Sequence, residues 1–189
     1  MWSLESGQLV ASDSSFRPAL ATFSPDGSRV AIADRLGGIQ AWDLDDWRLL
    51  STLHGHRLAI TDLAFSPDGR RLVSAGSDGL LIDWEVDTGR MIDTLEGPSR
   101  IYMRLQMSGS GKHLACIDAV GRGHVWTLAP TTEVEHVRAR GHEVMAMAMF
   151  DDLVLMGEHE RAVLYRGNRV VTELPHPGTT VRAVAIGRS

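Results

Sequence analysis

The sequence repeats itself. The pentapeptide FSPDG occupies residues 23–27 and returns at residues 65–69, an offset of 42. One further step of 42 lands on Met107, which opens MSGSG, a degenerate copy. Trp2, Trp42, Trp84 and Trp126 keep the same beat, with spacings of 40, 42 and 42, and a last step of 39 reaches the aromatic Tyr165. Self-similarity of this length confines the chain to stacked supersecondary units, each burying its apolar face against its neighbours.

The second unit shows what each repeat contains. AITDLAF is a mostly apolar run that stops at SPDG, where Pro67 presets φ and Gly69 accepts the turn's unusual dihedrals. RLVSAG then reads as a second strand, SDG as a tight turn, LLIDWEV as a third strand and RMIDTLEG as a fourth. No stretch holds a 3.6-residue apolar period, so helix is expected to be nearly absent. A period of 40–45 residues carrying four short strands is that of a β-propeller blade. The expected fold is therefore all-β, a propeller of four-stranded antiparallel blades.

The same register disposes of a tempting motif. MSGSGKHLA, residues 107–115, suggests a phosphate-binding loop through Gly111 and Lys112. Such a loop needs a glycine where Gln106 stands and a hydroxyl where His113 stands. Residues 108–111 occupy the place that 66–69 hold one repeat earlier, so the stretch is expected to be a hairpin turn.

These residues resemble the WD-repeat family, and the resemblance runs over essentially the whole chain. It is most specific in the second unit, through Gly55-His56, FSPDG, SAGSDG and Asp83-Trp84-Glu85; the first unit keeps an intact Trp42-Asp43. The resemblance implies a hydrogen-bonded blade lock of His56, Ser74, Asp78 and Trp84. The other units depart from it, with Ser14, Ile32 and Leu36 in the first and Pro98, Cys116 and Val120 in the third. The fourth keeps His142 but has Leu155, His159 and Tyr165. A complete polar lock is thus expected in one blade only, with apolar packing in the rest.

The repeat sets the organisation as one propeller-type domain: blades at 13–53, 54–96, 97–137 and 138–174, an outer strand of a preceding blade at 1–12, and the inner strand of a further blade at 175–189. Members of the family usually close with about seven blades. Four blades plus end strands leave the ring unclosed by this chain alone, with open faces of roughly 600 Å² in all. Completion by another chain, by self-association through those faces or by a longer polypeptide is expected.

Composition narrows the function. A net charge of −5 argues against nucleic acid as the partner, and no apolar run is long enough to span a membrane. The single cysteine, Cys116, fits a reducing cytoplasmic compartment. His54, His56, His142, His159 and His176 fall on different repeats, so no metal site is expected; no cofactor is either. The alternating Met145, Met147 and Met149 read as one face of an inner strand. A channel-site enzyme would want a ring of carboxylates, but the equivalents of Asp62 are Leu20 and Arg104, so no catalytic residue is assigned. The resemblance implies a non-catalytic protein-interaction scaffold or regulatory sensor module. The alternatives are a ligand-sensing propeller completed by another chain and a propeller enzyme with a central-channel site. Phe16, Arg17, Arg57, Leu58, Arg100, Tyr102 and Glu143 lie where the resemblance puts the partner-binding rim. Trp47, off the repeat position beside Arg48, is a further candidate contact.

Overall fold

The computed structural model describes residues 17–95, 99–128, 144–151, 153–166 and 169–185, and every regular element in them is a strand. The first sheet is the meander β1 (Pro18–Phe23), β2 (Arg29–Asp34), β3 (Ile39–Asp43) and β4 (Leu49–Leu53). The second repeats it with β5 (Ile60–Phe65), β6 (Arg71–Gly76), β7 (Leu81–Glu85) and β8 (Arg90–Leu95). The third shows β9 (Tyr102–Met107), β10 (His113–Asp118) and β11 (Gly123–Thr127); residues 129–137, where its fourth strand is expected, lie outside the described residues. The fourth pairs β12 (Ala146–Phe150), β13 (Leu153–Arg166) and β14 (Arg169–Thr180).

Identical chemistry closes the first hairpin of three repeats. Ser24, Ser66 and Ser108 each accept, through the backbone carbonyl, the amide of Gly27, Gly69 and Gly111 at 2.9 Å. Those glycines take φ of 74, 68 and 70°, the left-handed region that an L side chain rarely adopts. MSGSG is therefore the turn between β9 and β10. In two of these turns the serine hydroxyl also donates to an aspartate, Ser24 to Asp26 and Ser66 to Asp68, both at 2.6 Å. The Ser24 hydroxyl, helped by the Ser28 amide and hydroxyl, lowers the Asp26 carboxyl to about 2.

The core lies between sheets. Because side chains alternate along a strand, each sheet serves two interfaces. Ala31, Ile39 and Leu53 of the first sheet meet Leu63, Leu72 and Trp84 of the second. Val73, Ala75 and Leu81, from the second sheet's other face, meet Tyr102, Leu114 and Trp126 of the third. Ala115, Ile117 and Val125 then meet Met156, Val163 and Tyr165 of the fourth. The repeat aromatics thus mark successive interfaces, and Trp42, with no described sheet before it, is left half-buried. The ring is open among the described residues, and Phe23 on β1 is 64% exposed.

The fourth repeat departs from the others in its second turn. The turn between second and third strands uses Gly37, Gly79 and Gly121, with φ of 94, 84 and 74°. The equivalent residue in the fourth is Glu160, strained at φ 62°. Asp34, Asp78 and Asp118 collect turn amides in the first three repeats, whereas Gly157 and His159 stand in those places here. With neither glycine nor carboxylate the reversal is made within β13 itself, at His159 and Glu160: Glu158 and Arg161 on either side of it pair at 2.9 Å, and Val154 and Met156 before it share a core cluster with Val163 and Tyr165 after it. Residues 175–180 continue β14, and Arg182, Ala183 and Val184 beyond them border one concavity with Asp62, Arg104 and Met147.

Candidate partner-binding rim

The lock implied by the second repeat is assembled from four elements. Trp84 Nε1–H, on β7, donates to Ser74 Oγ on β6 at 2.8 Å, and that oxygen lies 2.8 Å from His56 Nε2. The other imidazole nitrogen, Nδ1, meets Asp78 at 3.0 Å, and Asp78 also accepts the amides of Arg57 at 2.8 Å and Leu80 at 3.2 Å. One carboxylate thus pins the loop before β5 to the turn after β6. Gly76 is required beneath it, since a Cβ there would overlap His56 Nδ1 and Asp78 Oδ1.

The third repeat carries a second polar lock that the sequence reading missed. His124 on β11 meets Asp118 at 3.0 Å, and Asp118 also accepts the amides of Val120 at 3.0 Å and Arg122 at 2.8 Å. The ring of His124 stacks edge-on to Tyr102 and tilted against Trp126, at 5.8 Å in both cases. The four-residue lock is complete in the second repeat, and the expectation of apolar packing in the rest is corrected by this pair. In the first repeat, too, Asp34 accepts the amides of Leu36 and Gly38, both at 2.8 Å, and Trp42 Nε1–H donates to Gln40 at 3.2 Å.

Burial alone would raise Asp78 and Asp118, but hydrogen bonds outweigh it and both sit below the usual carboxylate range. For Asp78 these come from the Arg57 amide, His56 and the Leu80 amide; for Asp118 from His124 and the Arg122 and Val120 amides. A depressed folded-state value gives stability that is complete above the ordinary 3.8 and is lost as pH falls through the folded value. The melting temperature is therefore expected to drop steeply between about pH 4 and pH 2. In Asp78→Asn, followed by circular dichroism, that slope should be shallower; an unchanged slope would remove this account of acid lability.

Antiparallel connectivity puts the turns after β2, β6 and β10 at one end of the sheets, together with the links that lead into β5 and β9. They form a continuous rim. A Cβ on Gly37 would stand 2.8 Å from the carbonyl oxygens of His56 and Leu58, and one on Gly79 would stand 2.8 Å from that of Arg100. Ser77 donates its amide to Ala59 at 2.8 Å and Ala119 to Ile101 at 3.0 Å. Arg17, Arg57, Leu58 and Arg100 are exposed on this rim. Tyr102 is not a surface residue: it is wholly buried under the third repeat, because the first position of β9 faces the neighbouring sheet. Trp47 sits half-buried in the turn after β3, at the opposite rim, with φ 57°. Phe16 and Glu143 lie outside the described residues.

Nearer the axis, Asp62, Arg104, Gln106, Met145, Met147 and Arg182 border an open concavity of about 460 Å³. Asp62 is raised by burial, against the opposing pull of the Leu105 and Leu63 amides and of Arg104. Its carboxylate accepts the Leu105 amide at 2.7 Å, so it ties the second sheet to the third. Among the described residues no three His, Cys, Asp or Glu side chains gather as metal ligands.

Residues 47–82 match the WD domain, G-beta repeat family. The fold is similar to the Cps50 (Swd1) β-propeller domain of Myceliophteria thermophila, with a TM-score of 0.70, 18% identity, and coverage of 88% of this chain and 59% of that one. It is also similar to a chain of the mitotic checkpoint complex, with a TM-score of 0.77, 20% identity, and coverage of 96% and 59%. The computationally designed protein Ika8 gives a TM-score of 0.72, 22% identity, and coverage of 89% and 52%. This chain therefore spans little more than half the length of these structures. No curated protein matches it.

Proposed function

For a chain with the β-propeller fold, in which residues 47–82 match the WD-repeat family, we propose the role of a non-catalytic protein-interaction module, a cytoplasmic scaffold or regulatory part of a larger assembly. The observation that carries this reading is the rim itself. Its loops are held to the sheets by buried His–Asp pairs, yet they present Arg57, Leu58 and Arg100 to solvent. Loops of fixed shape bind with little ordering cost, and arginine beside exposed aliphatic side chains suits a protein surface. One structural neighbour belongs to a named protein complex, which is in keeping with protein partners. The open outer face of the first sheet gives a second route, self-association, in which copies or other chains extend the array.

The concavity bordered by Arg104, Gln106 and Arg182 favours a second reading, a small-ligand sensor, which predicts a melting temperature raised by a ligand. The test of the main reading is the mass of the complex isolated with the full chain, by light scattering. A stoichiometric protein partner is expected, retained by the parent and lost from Leu36→Asp/Leu58→Asp. Equal recovery with that variant would move the interface off this rim. A species of twice 20.7 kDa without partner would assign it to the open faces.

A further inference from the structure

Arginines on the two rims differ in how many are paired. At the rim of the turns after β1, β3, β5 and β7 four of the five are paired: Arg29 with Asp87 at 2.9 Å, Arg48 with Asp46 at 3.4 Å, Arg90 with Glu85 at 3.3 Å, and Arg71 with Asp83, while Arg70 lies near the charge of Asp68. At the other rim Arg17, Arg35, Arg57, Arg100 and Arg122 are all exposed, and none has an ion pair among the described residues. The three aspartates of this rim are turned inward and form no ion pair with these arginines. Asp34 holds two turn amides, Asp78 holds His56 with two amides, and Asp118 is buried on His124. Five exposed arginines against these three inward-turned aspartates leave a cationic ridge over the first three repeats of a chain of net charge −5.

The ridge is not only charged. Leu36 is 83% exposed, Leu58 53% and Val120 59%, and each lies within two residues of one of these arginines. At the first sheet Arg17, Arg35 and Leu36 line a concavity of about 350 Å³ with Asp34. Guanidinium groups take carboxylates in a two-pronged geometry, and an aliphatic side chain between them offers an anchor point. Nucleic acid fits less well: its bases are held by aromatic stacking, and none of these exposed apolar side chains is aromatic.

We propose that this ridge docks an acidic protein segment in which Asp and Glu alternate with aliphatic residues. The proposal rests on the interaction reading above and adds the chemistry of the partner. Charge complementarity supplies steering and register, and the leucines supply discrimination between such a segment and a merely anionic one.

The probe is a fluorescein-labelled synthetic peptide of alternating Asp, Leu and Glu, about 12 residues long, read by anisotropy on the full chain. Binding is expected to weaken about tenfold or more in Arg35→Glu/Arg57→Glu/Arg100→Glu. Arg48→Glu/Arg70→Glu/Arg90→Glu, the same charge change at the opposite rim, should bind as the parent does. Leu36→Ser/Leu58→Ser should lose several-fold for this peptide and little for an all-Glu peptide. Equal loss in the two charge variants, or tighter binding of a single-stranded DNA oligonucleotide than of the peptide, overturns the proposal. A partner complex that fails in Leu36→Asp/Leu58→Asp but survives the arginine reversals overturns the acidic partner alone and leaves the interaction reading standing. Survival in both overturns the two together.

Discussion

Trp84→Ala is expected to destabilise the chain by about 3–5 kcal/mol, a large share of the ~5–15 kcal/mol that holds a typical domain. The indole is only 1% exposed and fills the interface between first and second sheets, so truncation leaves a cavity bounded by two sheets. The indole also lies against the Gly55 backbone, where a Cβ would stand 2.7 Å from the ring, so truncation removes that contact too. The lost N–H adds a smaller term, because Ser74 Oγ keeps His56 as a neighbour. Trp84→Phe separates the two effects and should cost about 1–2 kcal/mol. Trp42→Ala, at a half-buried site, should fall well short of Trp84→Ala. Thermal melts by circular dichroism rank the three; parity of Trp42→Ala with Trp84→Ala would remove the asymmetry between covered and open sheet faces.

Asp118→Ala should rival it, at about 3–5 kcal/mol, because it breaks a buried pair by removing one partner. The substitution strips His124 of its carboxylate while that ring stays wholly buried, and it strands the amides of Val120 and Arg122. Asp118→Asn keeps an acceptor and should cost clearly less. The double change Asp118→Ala/His124→Leu, which removes the stranded imidazole as well, should recover part of the loss. A double variant no better than the single one would mean that the pair is bystander to the packing of Tyr102 and Trp126.

The two locks differed in how plainly the sequence announced them. His56, Ser74, Asp78 and Trp84 occupy their repeat positions, so one alignment of the repeats exposes the set. Asp118 and His124 do the same job from positions that hold Gly76 and Ile82 one repeat earlier. Their signal was a histidine two residues before Trp126 in GHVW, which alternation places on the same side of the strand as the indole. Asp34 and Asp118, 84 residues apart, gave a second hint of a recurring turn acceptor. The turn at MSGSG was legible because the glycine that must take positive φ survives at position 111. The altered turn of the fourth repeat was not foreseen, since counting the 39-residue step preserved the period while hiding the loss of glycine at 160. At the rim, Arg17, Arg57 and Arg100 were visible as loop residues, but Arg35 and Arg122 were passed over. Net charge averages over the whole surface and hides one rim on which the aspartates turn inward and the arginines are left outside.

The central claim is that the loop rim held by the His–Asp pairs is the binding surface. Amide hydrogen exchange of the full chain, with and without the acidic-aliphatic peptide, tests it directly. The account predicts slowed exchange in residues 35–38, 54–59, 77–80 and 99–101, with the opposite turns unchanged. Protection confined to residues 24–28, 66–70 and 108–112, or to the open edge strand β1, would contradict it.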